Sequence, residues 1–255
     1  MSESKTTTAA TPIWVDISTS DPKAAQAFYG KLFDWETEDL GEEAGNYGFF
    51  KNAGRIAAGV GPTQMPGQPS AWMVYIGTDD ADAVAAKITE VGGKVIAPPM
   101  DVFDTGRMAV FQDTTGAFIS VWQPGTMPGL GVSDEPNSFD WAELSARGID
   151  AAKDFYGKVF GWGVKETPMG EDQGMYTEWQ LDGKSIAGAM EMSSMVPEQV
   201  PSYWMPYFKV ADIDAAHRSA VDLGGASMMQ PTPFPGGRFA IVSDPQGAVF
   251  GLTGE

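Results

Sequence analysis

The sequence has no cysteine, a single histidine (His217) and an excess of acidic over basic residues. Without cysteine, disulfides, iron–sulfur clusters, a cysteine nucleophile and zinc sites of the Cys and His type are excluded. One histidine cannot supply a two-histidine, one-carboxylate iron site, and a catalytic triad would have to use His217. The formal net charge of -18, from 34 acidic and 16 basic residues, opposes nucleic-acid binding, because affinity for phosphate backbones comes mainly from Lys and Arg.

Long apolar runs are also lacking. Residues 1–10 are small and polar, which predicts a flexible N-terminus without the apolar core of a signal peptide. No stretch approaches the roughly 18 consecutive apolar residues of a spanning helix, so we expect no membrane association and a cytoplasmic location. With 43% hydrophobic and 11% aromatic residues, the 255-residue chain can still bury a large core in one or two domains.

The sequence does contain an internal repeat, in which segments of the first half recur in the second half at a nearly constant offset. The matched segments are Phe28–Trp35 with Phe155–Trp162, Ser70–Tyr75 with Ser202–Tyr207, and Gly106–Gly116 with Gly237–Gly247. We therefore predict two copies of one domain, at residues 11–124 and 137–255. The Gly- and Pro-rich segment 125–136 is predicted to be the linker between them.

Local patterns predict the same order of elements in each copy. Ile13–Ile17 is typical of a strand, and Asp21 followed by Pro22 indicates a capped helix start. A second helix is predicted to end near Gly92, and hairpin strands follow it. Each copy is thus predicted to contain two βαβββ units.

The βαβββ order, the Phe-Tyr pair ending the first helix, the Gly-Gly after the second and the closing Asp-x-x-Gly hairpin resemble the vicinal oxygen chelate superfamily. It includes glyoxalase I, extradiol dioxygenases and bleomycin-binding proteins, and the resemblance covers about residues 10–124 and 137–254. The tandem arrangement looks most like a two-domain actinobacterial group that includes a mycobacterial culture-filtrate antigen and Streptomyces proteins named hydroxylases. The resemblance implies an α+β fold of two tandem domains, each a curled, cup-shaped mixed β-sheet with flanking helices.

The resemblance also indicates where metal ligands would lie, and this sequence departs from the family there. None of these positions carries a ligand suited to a metal: they fall at Trp14, Met73, Ser120 and the segment 58–60 in the first copy, and at Trp141, Met205, Gly251 and the segment 187–189 in the second. We therefore expect no metal and no other cofactor, and Lewis-acid chemistry is not carried over to this chain.

Alternation along the strands places aromatic and polar side chains on the inner face of each cup. The first cup is expected to be lined by Trp14, Asp16, Met73, Tyr75, Ser120 and Trp122, and the second by Trp141, Glu143, Met205, Tyr207, Gly251 and Thr253. Trp, Tyr and Met surfaces suit a planar or hydrophobic small molecule. The alternative is that these side chains are ordinary core residues.

Asp16 and Glu143 are the candidate catalytic groups, because a carboxylate in an aromatic-lined cavity can act as a general acid or base. Structurally, each could instead pair with an arginine or accept a hydrogen bond from a neighbouring Trp or Tyr. Arg107 and Arg238 begin matching strands, where they could orient an anionic group of the ligand or simply pair with carboxylates. His217 is predicted to lie on the surface, because it stands on an outer helix and its counterpart in the first copy is Ala85.

Taken together, the sequence predicts a metal-independent protein that binds a hydrophobic or aromatic small molecule in natural-product biosynthesis or resistance. Binding alone competes with acid/base transformation, such as an isomerisation, cyclisation, elimination or cofactor-free oxygenation. The alternatives are a metal-dependent lyase or dioxygenase of the same superfamily and a non-catalytic interaction module with filled cups. We expect a monomer or a homodimer.

Overall fold

The computed structural model describes residues 9–170 and 174–255. Their elements follow the predicted order, with four consecutive βαβββ units and four helices in an α+β fold. The first repeat contains β1 (Pro12–Thr19), α1 (Pro22–Phe33), β2 (Glu36–Asp39), β3 (Gly48–Asn52), β4 (Arg55–Pro62), β5 (Ala71–Gly77), α2 (Ala81–Glu90), β6 (Lys94–Val102), β7 (Gly106–Gln112) and β8 (Phe118–Pro124).

The second repeat has the same elements in the same order. It contains β9 (Ser138–Ala146), α3 (Ile149–Phe160), β10 (Gly163–Pro168), β11 (Met175–Leu181), β12 (Lys184–Glu191), β13 (Tyr203–Lys209), α4 (Ile213–Asp222), β14 (Ala226–Phe234), β15 (Gly237–Ser243) and β16 (Val249–Gly254). Among the described residues, no helix has the length and apolar character needed to cross a membrane.

Each repeat forms one eight-stranded mixed sheet. The strand orders are β2-β3-β4-β1-β5-β8-β7-β6 and β10-β11-β12-β9-β13-β16-β15-β14. In the described parts of both repeats these sheets stay open rather than closing into barrels. The β1–β4 and β5–β8 pairs run parallel, as do the matching β9–β12 and β13–β16 pairs, while the outer strands pair antiparallel.

Aspartate side chains cap the N-termini of three of the α-helices. Asp21, Asp80 and Asp212 cap α1, α2 and α4, because the carboxylate of each accepts a hydrogen bond from a first-turn backbone N–H at 2.9–3.0 Å. Helix α3 has no such residue, and the Glu191 carboxylate performs the same function by accepting hydrogen bonds from the backbone N–H groups of Gly148 and Ile149. The predicted Asp-Pro start of α1 is therefore confirmed.

The chain divides into two compact units that do not coincide with the repeats. Unit 1 comprises Met1–Trp14, Val74–Gly129 and Ala142–Trp204, and unit 2 comprises Val15–Met73, Leu130–Trp141 and Met205–Glu255. Each unit thus combines half of the first repeat with half of the second. The predicted domain bounds describe the repeats and stay a prediction.

A buried relay of three side chains joins the two halves within unit 2. The Trp72 indole N–H donates to the Tyr29 hydroxyl at 2.9 Å, and that hydroxyl donates to Asp244 Oδ2 at 3.1 Å. The other Asp244 oxygen accepts from the backbone N–H groups of Gln246 and Ala248, both at 2.9 Å. Tyr29 and Trp72 belong to the first repeat and Asp244 to the second, so the relay fixes one half against the other.

Unit 1 contains the equivalent relay with the repeats exchanged. The Trp204 indole N–H donates to the Tyr156 hydroxyl at 2.7 Å, and Tyr156 donates to Asp113 Oδ2 at 2.8 Å. The second Asp113 oxygen accepts from the Thr115 and Ala117 backbone N–H groups. The Phe-Tyr and Asp-x-x-Gly motifs that mark the repeat in sequence therefore meet across the two copies.

Aromatic rings surround both relay tyrosines. Tyr29 is fully buried, and its ring centroid lies 5.2 Å from that of Trp72 and 5.4 Å from that of Phe250. Tyr156 is equally buried, 5.4 Å from Trp204. Burial, together with the adjacent carboxylate, raises the pKa of both tyrosine hydroxyls well above the ordinary value, so they remain donors at all physiological pH values.

Removing a relay hydroxyl is expected to destabilise the fold. Tyr29→Phe and Tyr156→Phe each leave a buried indole N–H and a buried carboxylate oxygen without that partner, which should cost about 1–3 kcal/mol of unfolding free energy. Urea unfolding followed by far-UV circular dichroism measures this loss. The control is Tyr203→Phe, because half-buried Tyr203 belongs to neither relay. Equal stabilities for all three variants would contradict a role for the relays in stability.

The relay carboxylate also predicts a pH dependence. Burial raises the pKa of Asp244 above its ordinary 3.8, so the folded state binds this proton more tightly than the unfolded state does. The contribution of Asp244 to stability is therefore largest at low pH and decreases as pH rises from about 3.8 through the raised folded-state pKa. The free energy of unfolding of wild type minus that of Asp244→Asn should fall over this interval. Asp154→Asn, at an exposed residue paired with Lys158, should show no such fall.

Candidate functional site

The two candidate carboxylates lie at equivalent places on the first strand of each repeat. Asp16 on β1 is paired in register with Gly59 on β4, and Glu143 on β9 is paired with Gly188 on β12. Both carboxylate side chains belong to residues that are only 9% exposed. A glycine is paired with each carboxylate residue, and above Gly59 the space is taken by Tyr47, whose Oη would lie 1.9 Å from an added Cβ.

A tyrosine hydroxyl donates a hydrogen bond to each carboxylate. Tyr47 Oη donates to Asp16 Oδ2 at 2.8 Å in unit 2, and Tyr176 Oη donates to Glu143 Oε2 at 2.9 Å in unit 1. We call these the carboxylate–tyrosine pairs. Each carboxylate thus accepts a hydrogen bond from a neighbouring tyrosine, which is one of the structural arrangements considered for it. A phenol and a carboxylate in contact can accept, hold and return a proton at one place.

Sequence reasoning missed Tyr47 and Tyr176 as site residues. Tyr47 lies in the turn before β3, where strand alternation does not apply, whereas Tyr176 lies within β11. The signal that identifies them is the repeat itself, because both stand at the same point relative to the glycine that faces the carboxylate. Both tyrosines are half-buried.

The two arginines pair with carboxylates of the neighbouring helices α2 and α4, and Arg107 also pairs with one on strand β6. Arg107 contacts Asp82 at 2.9 Å and Asp101 at 2.8 Å in unit 1, and Arg238 contacts Asp214 at 2.6 Å in unit 2. The hydrogen bonds from these arginines lower the pKa values of Asp82 and Asp214. This arrangement matches the alternative in which both arginines are structural partners of carboxylates.

The other predicted pocket residues divide between the units. In unit 1, ladder pairing places Tyr75, Ser120 and Trp122 on one face of β5 and β8, and Trp14 is 2% exposed. In unit 2, Tyr207 and Gly251 are paired on one face of β13 and β16. Met205 is 3% exposed there, whereas Met73 and Trp141 are half-buried. A shared pocket around these side chains stays a prediction.

The residues at the family's ligand positions do not fit a metal ion. Trp, Met, Ser and Gly stand there, and none carries the imidazole, thiolate or carboxylate that such sites use. At two glycine positions the space of a ligand side chain is already filled: a Cβ on Gly59 would lie 1.9 Å from Tyr47 Oη, and one on Gly251 would lie 2.0 Å from the Tyr207 ring. Within residues 9–170 and 174–255, no three His, Asp or Glu side chains are grouped as metal ligands.

The prediction that His217 lies on the surface is wrong. His217 is 6% exposed, and its Nε2 is within hydrogen-bond distance, 2.8 Å, of the Ser227 hydroxyl. The Gln230 side-chain amide donates a hydrogen bond to the same hydroxyl. Helix α4 turns this position toward β14, and Ser227 satisfies the imidazole. The contact accounts for a buried histidine without a ligand role.

The chain belongs to the Glyoxalase/Bleomycin resistance protein/Dioxygenase superfamily, which its sequence matches over residues 11–121 and 138–252. It is 37% identical to the anthracycline biosynthesis protein DnrV of Streptomyces peucetius, over 95% of this chain and 92% of that protein. It is 36% identical to the putative glyoxylase CFP32 of Mycobacterium bovis, over 95% and 94% of the two chains. The resemblance noted in the sequence is thereby confirmed.

Solved structures of the same fold cover nearly the whole chain. The 2,3-dioxygenase LapB from Pseudomonas sp. KL28 superposes with a TM-score of 0.67 at 14% identity, over 97% of this chain and 93% of that one. The Mn(II)-bound glyoxalase from Novosphingobium aromaticivorans gives a TM-score of 0.66 at 18% identity, over 97% and 83%. These similarities establish the fold alone.

Adding a Cβ at Gly251 is expected to destabilise the folded state. Gly251→Ala places a Cβ against the buried Tyr207 ring and should cost about 1–3 kcal/mol of unfolding free energy as the ring is displaced. Gly163→Ala is the matched control, because a Cβ there meets only Gln180 Cβ at an ordinary 3.7 Å. Thermal unfolding of both variants measures the difference. A Gly251→Ala protein as stable as Gly163→Ala would show that the ring does not fill this space.

Proposed function

We propose that this chain binds a planar aromatic small molecule of natural-product metabolism and transfers a proton on it without a metal. The observation that carries the proposal is the recurrence of a largely buried carboxylate–tyrosine pair at equivalent positions in both repeats. The name of DnrV places that relative in anthracycline biosynthesis. Anthracyclines are planar polycyclic aromatic compounds, and aromatic and methionine surfaces suit such ligands.

The chemistry that the pairs support is general acid/base catalysis. The carboxylate of Asp16 or Glu143 would take a proton from an acidic carbon or phenol of the ligand, and the bonded tyrosine would keep the carboxylate oriented during the transfer. Proton transfer by a positioned carboxylate contributes about 10²–10⁴-fold in rate. Isomerisation, cyclisation and elimination each require such a step, as does the deprotonation that precedes a cofactor-free oxygenation.

A metal-dependent lyase or dioxygenase is the competing function of this superfamily. The donor chemistry at the ligand positions supports the metal-independent proposal, since neither repeat has a His or carboxylate there. Metal analysis of protein purified without chelator tests this point, and a stoichiometric transition metal that is required for activity would overturn it. The expected monomer or homodimer and the cytoplasmic location stay predictions.

Anthrone is a suitable probe, because it is planar and aromatic and carries an acidic methylene beside its rings. We expect saturable quenching of tryptophan fluorescence by anthrone in the presence of a chelator. We also expect the protein to accelerate exchange of the methylene protons into deuterated water, measured by NMR. Asp16→Asn and Glu143→Gln should keep binding within about threefold, and together they should lose the accelerated exchange, by about 10²-fold or more.

The control variant is Asp154→Asn, which changes an exposed carboxylate paired with Lys158 and should leave both binding and exchange unchanged. Binding without accelerated exchange in wild type would favour sequestration and overturn the catalytic part of the proposal. Absence of binding to anthrone and to related polycyclic ketones and quinones would overturn the proposal as a whole.

A further inference from the structure

Ser120 carries a buried hydroxyl that has no hydrogen-bond partner among the described residues. The residue has no exposed surface, and its Oγ makes no hydrogen bond to any part of the chain that the structure describes. Burying a hydroxyl without a partner opposes folding, and an alanine would avoid that cost. Such a group is free to complete a hydrogen bond with a ligand where its surroundings form a binding face.

The surroundings of Ser120 are those of a binding face. Ladder pairing places Tyr75 beside Ser120 on β5, and Val110 beside it on β7. Trp122 and its neighbour Met108 continue the same face one pleat further along. Because side chains at directly paired positions point to one side of a sheet, the Ser120 hydroxyl lies on a face made mainly of aromatic and apolar side chains.

The equivalent face of the second repeat has aromatic side chains, Tyr207 and Phe239, but differs from the first at the positions of Ser120 and Trp122. Gly251 occupies the position of Ser120, and the Tyr207 ring lies so close to Gly251 that an added Cβ would be 2.0 Å from it. Thr253 replaces Trp122 and donates a hydrogen bond to Asp140 at 2.6 Å, while Lys209 is its ladder neighbour. In the first repeat the Ser120 Cβ itself occupies the corresponding space, so the Tyr75 ring cannot lie there.

We infer that β7, β8 and the Tyr75 end of β5 in the first repeat, which belong to unit 1 together with Glu143, provide the binding face for the planar ligand, that the equivalent strands of the second repeat do not, and that the Ser120 hydroxyl hydrogen-bonds to an oxygen of that ligand. The inference rests on the proposed function and deepens it, because it restricts the substrate class to planar aromatics that carry a carbonyl or phenolic oxygen. Since Ser120 is covered in the free protein, a side chain of this face must move when the ligand enters. One ligand binds per chain, although the chain has two repeats.

Two neutral probes that differ only in their ring carbonyls test the inference, a hydroxymethyl-anthraquinone and the corresponding hydroxymethyl-anthracene. Calorimetric titration of the full chain should give one site per chain and tighter binding of the quinone. Ser120→Ala should weaken quinone binding by about three- to tenfold and leave hydrocarbon binding unchanged, which removes the discrimination. The melting temperature of Ser120→Ala should not fall, because the variant loses a hydroxyl that makes no hydrogen bond within residues 9–170 and 174–255.

Thr177→Val is the matched control. Thr177 also has a fully buried hydroxyl with no hydrogen bond among the described residues, but it lies on β11 in the second repeat. This variant should likewise keep its melting temperature and should retain the full discrimination between the probes.

Different results would contradict the proposed function and the inference about Ser120. Wild-type protein that binds neither probe overturns the proposed function and this inference with it. Wild-type binding that Ser120→Ala leaves unchanged overturns the inference alone, as do two ligands per chain. Weaker binding accompanied by a lower melting temperature in Ser120→Ala would show ordinary damage to the fold and would also overturn the inference.

Discussion

The hydroxyl group of a fully buried tyrosine is the constraint on which each half of this structure depends. In unit 2, the Tyr29 hydroxyl both accepts a hydrogen bond from an indole and donates one to a carboxylate, and the Tyr156 hydroxyl does the same in unit 1. A hydrogen bond left unmade in a buried aromatic interior costs free energy of folding, so the helix, the strand and the closing hairpin are fixed together. The two candidate carboxylates, Asp16 on β1 and Glu143 on β9, lie on strands rather than on loops, and strands position a functional group more precisely.

Much of the fold could be predicted from the sequence because its signals are local. The helix start at Asp21 and Pro22 follows from side-chain chemistry within a few residues, and the repeat follows from direct comparison of segments. The pairing between copies could not be predicted in this way. Asp113 and Asp244 have the same local motif, so nothing near Tyr29 in the sequence indicates which of the two accepts its hydrogen bond. That choice is made by packing between halves far apart in the chain.

For the candidate site, too, local patterns could be read from the sequence and contacts between distant elements could not. Alternation along β1 and β9 predicts an inward-facing Asp16 and Glu143, but Tyr47 stands outside the strands, just before β3, where periodicity carries no information. The prediction for His217 failed because a polar residue on an outer helix was assumed to face water. Its partner Ser227 lies on an edge strand, and helix periodicity alone does not reveal such a contact. Hydrogen bonds between side chains on different elements are the part that sequence patterns leave open.

The exchange of relay partners between repeats has a consequence for how such a chain can change over generations. The Tyr29 relay ends on Asp244, which lies in the other copy, so the buried hydrogen bonds of one copy depend on a residue of the other. Positions outside the relays do not depend on the other copy through these hydrogen bonds. There the copies have become different, as Ser120 and Gly251 show. Duplication in this chain has therefore produced one inherited framework with two faces that are free to specialise.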